Sequence, residues 1–377
     1  MSTTWIDHAA SLQALPDRGV LGLDTEFMRR NTYFPKLALV QAALTGQCWL
    51  LDPLAYAAAD DVRALVGGRV CVMHSASEDM EALAPLLDGT PLSLFDTQIA
   101  AALCGMGPGL SYQKLVASVL GIEIPKDETR SDWLQRPLTA SQLEYAAQDV
   151  AHLAALHEKL SAELQRRGRE AWHAEDCARL AQRAHRDPAQ VDPQPQRGFR
   201  SASDWPLEAR ARLKRVLLWR DETARTLDRP RPWILDDANA LALSQQPPAG
   251  SQELFERVKG QRALRGPQRS ELLTILDATA APEELAALAS IPAAPRGDTK
   301  RAVDAMRDVV QSEAIKLDIP PGLLCPRRLI EEFAVTRAWP EGLNGWRAGV
   351  LETKLTPLLA GEPAPVLHQV EFRSPRA

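Results

Sequence analysis

The chain has 377 residues, 45% of them hydrophobic and 25% charged, with a formal net charge of −5. That length predicts two or three domains, and no apolar run approaches the roughly 18 residues that cross a bilayer, which excludes an integral helical membrane protein. No basic stretch followed by an apolar one opens the sequence, and the five cysteines (Cys48, Cys71, Cys104, Cys177 and Cys325) are scattered and never spaced as CxxC. These features read as a cytoplasmic protein without a disulfide framework or a zinc site. A net negative charge is awkward for a nucleic-acid ligand, so any such reading has to rest on local charge.

From Gly19 to about Leu87 short apolar runs alternate with helix-like stretches. Val20 to Leu23, Leu37 to Leu44 and Val70 to Met73 predict strands, and the pattern implies an α/β unit with a partly mixed sheet. Gly105, Gly107, Pro108 and Gly109 interrupt the chain, after which Tyr112 to Leu120 and Thr139 to about Arg169 predict helices. Arg186 to Pro206, rich in proline, glycine and serine, reads as an exposed linker. Everything beyond it is helical in pattern, with a second break near Ile291 to Asp298. The expected units are 1–190, 207–290 and 296–377: one α/β domain and two small all-α domains.

Asp24, Thr25 and Glu26 follow directly on the first of these strands, so alternation places Asp24 and Glu26 on one face and turns Thr25 to the other. Two neighbouring carboxylates repel unless a cation lies between them, although an isolated DxE is more often a pair of ordinary exposed acids. Asp79 follows the third strand in the run His74, Ser75, Ala76, Ser77, Glu78, Asp79. Ser75 and Glu78 have capping-box spacing, which predicts Asp79 in the first turn of a helix running to Leu87, where the macrodipole favours an acid whatever its function. His74 there reads equally as a hydrogen-bonded histidine at a strand end. Tyr145 and Asp149, four apart in a helical stretch, share a face, as many exposed pairs do. Taken together, Asp24, Glu26, Asp79 and Asp149 form a hard oxygen donor set suited to Mg²⁺ or Mn²⁺. Two such ions about 4 Å apart can stabilise the attacking and leaving oxygens of a phosphoryl displacement, and Tyr145 can hold or deprotonate the attacking water.

The constellation DTE, HSASED and YAAQD resembles the DEDD exonuclease superfamily in its tyrosine-bearing branch. The run Asp24 to Gln41 (DTEFMRRNTYFPKLALVQ), FDTQ at Phe95 to Gln98 and SDWLQRPL at Ser131 to Leu138 resemble ribonuclease D. The resemblance implies a ribonuclease H-like mixed sheet flanked by helices, with Asp24, Glu26, Asp79 and Asp149 as ligands of two divalent ions and Tyr145 orienting the water. Phe27 and Lys126 are candidates for contacting the terminal nucleotides, read otherwise as a core aromatic and a solvated lysine. Leu213 to Pro248 is similar to the HRDC domain, a small helical nucleic-acid-binding module. Ile319 to Glu332 and the stretch from Gly345 resemble a second, more divergent copy. Between Arg197 and Arg231 basic residues outnumber acidic ones by five, a local excess suited to phosphate contacts or simply a solvated helical face.

The implied activity is 3′→5′ exoribonucleolytic release of nucleoside 5′-monophosphates from RNA 3′ ends by a monomer, with tRNA precursors and other structured RNA as substrates. Two other readings stand beside it: a 3′→5′ DNA exonuclease using the same carboxylates, and a catalytically silent nucleic-acid-binding adaptor.

Overall fold

The computed structural model describes residues 2–9, 19–124, 131–182 and 191–359. Its α/β part is built on a six-stranded mixed sheet in the order β1-β4-β3-β2-β5-β6. The strands are β1 (Ser2–Ile6), β2 (Val20–Met28), β3 (Lys36–Leu44), β4 (Gln47–Leu51), β5 (Val70–Met73) and β6 (Ser93–Asp96). β3 runs antiparallel to both its neighbours, whereas the pairs β1/β4, β2/β5 and β5/β6 are parallel. Three strands match the sequence expectation; β1, β4 and β6 are additional. β4 turns back on β3 through Thr45 and Gly46, both with positive φ (49° and 83°), the geometry of a tight two-residue hairpin that keeps the strand twist.

Alternation along the strands divides the core into two layers. Leu21 and Leu23, Val40 and Ala42, Leu51, and Cys71 and Met73 pack on one face against α1 (Ala59–Val66) and α2 (Asp79–Leu87). Leu39, Cys48, Leu50, Val72 and Phe95 face the other way. There they meet α3 (Thr97–Leu103), α4 (Tyr112–Leu120), α5 (Ala140–Ala151) and α6 (Leu153–Arg167), with α7 (Glu170–Ala181) beside β6. The long helix expected from Thr139 to Arg169 is thus interrupted at His152 and again at Gly168, whose φ of +66° closes α6.

The C-terminal half is helical throughout its described length. α8 (Leu207–Thr226), α9 (Arg231–Ile234), α10 (Asp237–Gln245), α11 (Ser251–Val258), α12 (Gly266–Asp277) and α13 (Pro282–Ala286) form a first cluster with its own core around Leu213, Val216, Leu217, Leu243 and Leu272. α14 (Gly297–Leu317), α15 (Pro321–Leu324), α16 (Arg327–Thr336) and α17 (Trp346–Leu355) form a second. The core of this second cluster is continuous with that of the α/β part: Trp346 stacks on Trp172 of α7 at 4.4 Å, and Arg347 pairs with the buried Asp176.

One expectation is corrected and another gains detail. The described part of the supposed linker, 191–206, packs onto the first helical cluster: Ala202 is fully buried, Phe199 and Trp205 lie against the core, and the side chain of Gln196 donates to the carbonyl of Ala289. Few apolar residues suffice because Phe199, Ala202 and Trp205 are placed inward. Several of the basic residues of 197–231 are engaged within the molecule, while the side chains of Arg197, Arg200, Arg229 and Arg231 stay exposed. Arg212 donates to the carbonyls of Leu276 and Ser244, Arg215 to that of Ala278, Arg200 pairs with Glu331, Arg220 with Asp237 and Arg231 with Asp221. Helix C-termini leave carbonyls without partners, and in this arginine-rich bundle guanidinium groups fill that role.

Candidate active site

The site forms where β2 outruns its neighbour. Pairing between β2 and β5 ends at Gly22 and Val72, while β2 continues to Met28 along β3 alone. One edge of β2 is therefore unpaired from Asp24 onward, and elements from both faces of the sheet reach it there. A register shift between Glu26 and Phe27 bends the strand just past the two acids.

From one face comes α2, with Asp79 in its first turn as expected. The capping box is not formed. Ser75 has a φ of +60°, and no side chain caps the helix. Asp96, at the end of β6, organises the turn instead: its carboxylate accepts from the backbone N–H of Ser75, Ala76, Gln98 and Ile99, so one buried side chain caps α3 and shapes the entry to α2. A capping pattern read locally loses to an acid 20 residues away that offers more bonds. His74 is the hydrogen-bonded strand-end histidine: Nε2 donates to the carbonyl of Leu110, Nδ1 lies 2.9 Å from Thr97 Oγ1, and burial lowers its pKa.

From the other face come α5 and α6, allowed close to β2 by Gly22. A Cβ at Gly22 would stand 3.0 Å from the carbonyl oxygen of Val150 and 3.3 Å from Cβ of Leu153. The break at His152 is held by Tyr112, whose hydroxyl donates to the carbonyl of Gln148 and accepts from the N–H of His152. Asp149 is thereby fixed near Asp24. Tyr145, one turn earlier, donates to the Asp149 carboxylate and packs beside the buried Trp133 at 6.0 Å between ring centroids.

The four acids act on one another electrostatically. Burial, then Asp79, Asp149 and Glu26, hold Asp24 well above the ordinary carboxylate range. Glu26 is pushed up to about 9 by burial and by Asp149 and Asp79. Burial raises Asp149 to about 7 and Asp79 to about 6, each partly offset by the hydroxyl it accepts from, Tyr145 and Thr25 respectively. Thr25 does face away from Asp24 and Glu26, on the α2 side, and Asp79 reaches it there. Among the described residues, no arginine or lysine is a leading influence on any of the four. As the side chains are placed, no group of three or more His, Cys, Asp or Glu among the described residues is tight enough to hold an ion. The acids are gathered but spread, Asp79 being drawn to Thr25.

Phe27 is half-buried beside Glu26 and belongs to neither apolar core of the α/β part; Lys126 lies outside the described residues. Gly22, Asp96, Tyr112 and Trp133 were not foreseen as parts of the site. Asp96 and Trp133 do stand within FDTQ and SDWLQRPL, the stretches that carried the resemblance.

A family model described as 3′-5′ exonuclease matches residues 2–165. Ribonuclease D of Xanthomonas oryzae pv. oryzae is 41% identical over 96% of this chain and 99% of its own length. The chain belongs to the ribonuclease D family. Ribonuclease D of Pseudomonas paraeruginosa is 35% identical, covering 91% of this chain and 94% of that protein. The crystal structure of Escherichia coli RNase D, described as an exoribonuclease involved in structured RNA processing, superposes with a TM-score of 0.80 at 26% identity, covering 95% of this chain and 99% of that one. Family membership makes the protein a 3′→5′ exoribonuclease, a hydrolase of phosphodiester bonds in RNA. Enzymes of this family work with divalent metal ions, and no helix among the described residues is long and apolar enough to cross a membrane.

Proposed function

We propose that Asp24, Glu26, Asp79 and Asp149 hold two divalent ions, Mg²⁺ or Mn²⁺, and that this centre removes nucleoside 5′-monophosphates one at a time from RNA 3′ ends. The observation that carries the reading is four mutually repelling, largely buried carboxylates with no cationic side chain of the described residues among their leading influences. Such a donor set is costly unless positive charge is brought to it, and its hard oxygens suit Mg²⁺ or Mn²⁺. Completing the set would take Asp79 turning off the Thr25 hydroxyl and the other three carboxylates drawing together around the ions. When bound, the ions lower the pKa of the attacking water and neutralise charge on the departing 3′ oxygen. Burial and then the neighbouring acids raise the pKa of Tyr145, which suits it to hold and orient the water. Trp133 and Tyr112 fix Tyr145 and the end of α5. Phe27 and Lys126 contact the terminal nucleotides.

The units 1–190, 207–290 and 296–377 are assigned as the exonuclease domain and two HRDC-type domains, the first holding the body of the RNA. Precursors of tRNA and other structured RNAs are the proposed substrates of a monomeric enzyme. The five unpaired, buried cysteines fit a reducing cytoplasm.

The test incubates matched 5′-labelled RNA and DNA strands with Mg²⁺ or Mn²⁺ and the parent, Asp24→Asn or Asp149→Asn protein. Stepwise shortening of RNA, slower on DNA and abolished in both variants with folding retained, is expected. Undiminished shortening by either variant would remove that acid from the centre.

A further inference from the structure

The loop 29–35 joins β2, which carries Asp24 and Glu26, to β3, and it reaches across to the first helical cluster. The backbone N–H groups of Tyr33 and Phe34 both donate to Oδ1 of Asp228, at 2.9 and 3.3 Å. The Tyr33 hydroxyl donates to Oδ1 of Asp221 at 3.0 Å and accepts from Nη2 of Arg231 at 2.6 Å, while the Arg231 guanidinium lies 4.7 Å from the centre of the Tyr33 ring. Arg229 donates to the carbonyl of Asn31. Each of these bonds ends on residues 31–34, and the Tyr33 ring packs against the apolar core of the helical cluster.

The same loop is tied at its other end to the second catalytic element. Arg29 makes a two-pronged bond to Glu81, 2.7 Å on each arm, and also donates to the carbonyl of Tyr33. Glu81 stands two residues beyond Asp79 on α2. A chain of polar contacts thus runs from α2 through Arg29 and the loop to Asp221, Asp228 and Arg231, at the end of α8 and the start of α9.

We infer that Tyr33 and Asp228 form a latch that fixes the first helical cluster against the catalytic strand, so that RNA held by the cluster is presented in register to the four acids. Tyr33 is a positioning residue in this scheme and touches no reacting atom. The inference rests on the reading that the helical cluster holds the body of the RNA. A two-nucleotide substrate needs only the acids; a long RNA needs both surfaces in one arrangement. If the latch opens, the docked arrangement becomes a fraction of the population, and the apparent affinity for long RNA falls by that fraction, whereas turnover of bound RNA is kept.

The variants separate these effects. Tyr33→Phe keeps the ring and the Asp221–Arg231 pair but removes both hydroxyl bonds across the interface. Asp228→Ala removes the acceptor for two backbone N–H groups, and Asp228→Asn restores it; asparagine also tolerates the left-handed conformation at this position, where φ is +46°. For Tyr33→Phe and Asp228→Ala, a rise of about tenfold in KM is expected on a structured RNA, in keeping with the loss of one or two charge-assisted bonds. Their kcat on that RNA and their hydrolysis of a dinucleotide should match the parent, and Asp228→Asn should recover the KM. Unchanged KM in both variants, or a parallel loss on the dinucleotide, overturns the latch. Parent protein that shortens no RNA overturns the functional reading beneath it.

Discussion

Gly22 offers the sharpest structural test of how the site is assembled. It sits in the middle of the sheet, paired to Ala43 on one side and Val72 on the other, so its own backbone has little room to yield. A methyl group at this position would lie 3.0 Å from the backbone oxygen of Val150 and 3.3 Å from Cβ of Leu153, so the helical side must retreat by a few tenths of an ångström. Val150 is the residue after Asp149, and the retreat moves that carboxylate away from Asp24. Gly22→Ala is expected to cost about 1–3 kcal/mol of stability, the usual range for overpacking a dense core. The displacement should lower kcat by about three- to tenfold, since misplacement on the order of 1 Å costs about a hundredfold and the retreat is a fraction of that. Gly22→Val should be worse on both counts. Urea unfolding gives the first quantity, and release of nucleotides from labelled RNA at saturating metal gives the second. Full kcat in Gly22→Ala protein that is measurably destabilised would show that the α5–α6 approach does not position Asp149, and the account of the site would need a different framework.

Metal-free protein should show an inverted pH dependence at Asp149. Its folded-state pKa is raised from 3.8 to about 7, so between those values the native state holds a proton that the unfolded chain has released. The contribution to stability is therefore complete below pH 3.8 and is lost as pH rises through 7. Asp149→Asn, measured by thermal unfolding in chelator, should gain on the parent by about 2–3 kcal/mol between pH 5 and pH 8; a gain that shrinks over that window contradicts the assignment. Arg136 holds the loop that carries Trp133. It donates to both carboxylate oxygens of the buried Asp52, at 2.6 and 2.7 Å, and to the carbonyls of Ala38 and Trp133. Arg136→Met strands Asp52 and should cost about 3–5 kcal/mol, with much of that recovered when Asp52→Leu is added. A double variant no more stable than the single one would show that the loss lies elsewhere.

The legible parts of the fold were those with strong local periodicity. Val20 to Leu23, Leu37 to Leu44 and Val70 to Met73 are strands because both faces of the central sheet are covered, which gives the continuous apolar runs seen in the sequence. β1 and β6 are short, and β1 lies at an edge with polar residues outward, so neither carries such a run. The acids were legible because each lies at or just past an apolar strand run or on a patterned helix, although β2 itself continues through Asp24 and Glu26 to Met28. What brings them together was not: Gly22, Tyr112 and Asp96 act through partners 20 to 130 residues away, and nothing near each of them in the chain announces the partner. Ser75 shows the same limit from the other side, a local capping signal overridden by Asp96. The arginines of α8 show it again, since a count of charges does not reveal that the guanidinium groups are spent on helix ends.

Diffraction from crystals soaked in Mn²⁺, recorded for the metal's anomalous signal, tests the central claim most directly. Two peaks about 4 Å apart, bounded by the carboxylates of Asp24, Glu26, Asp79 and Asp149, are predicted, with Asp79 turned off Thr25 and the nearer peak gone in Asp24→Asn. Manganese bound only outside this group, with Asp79 still on Thr25, would contradict it.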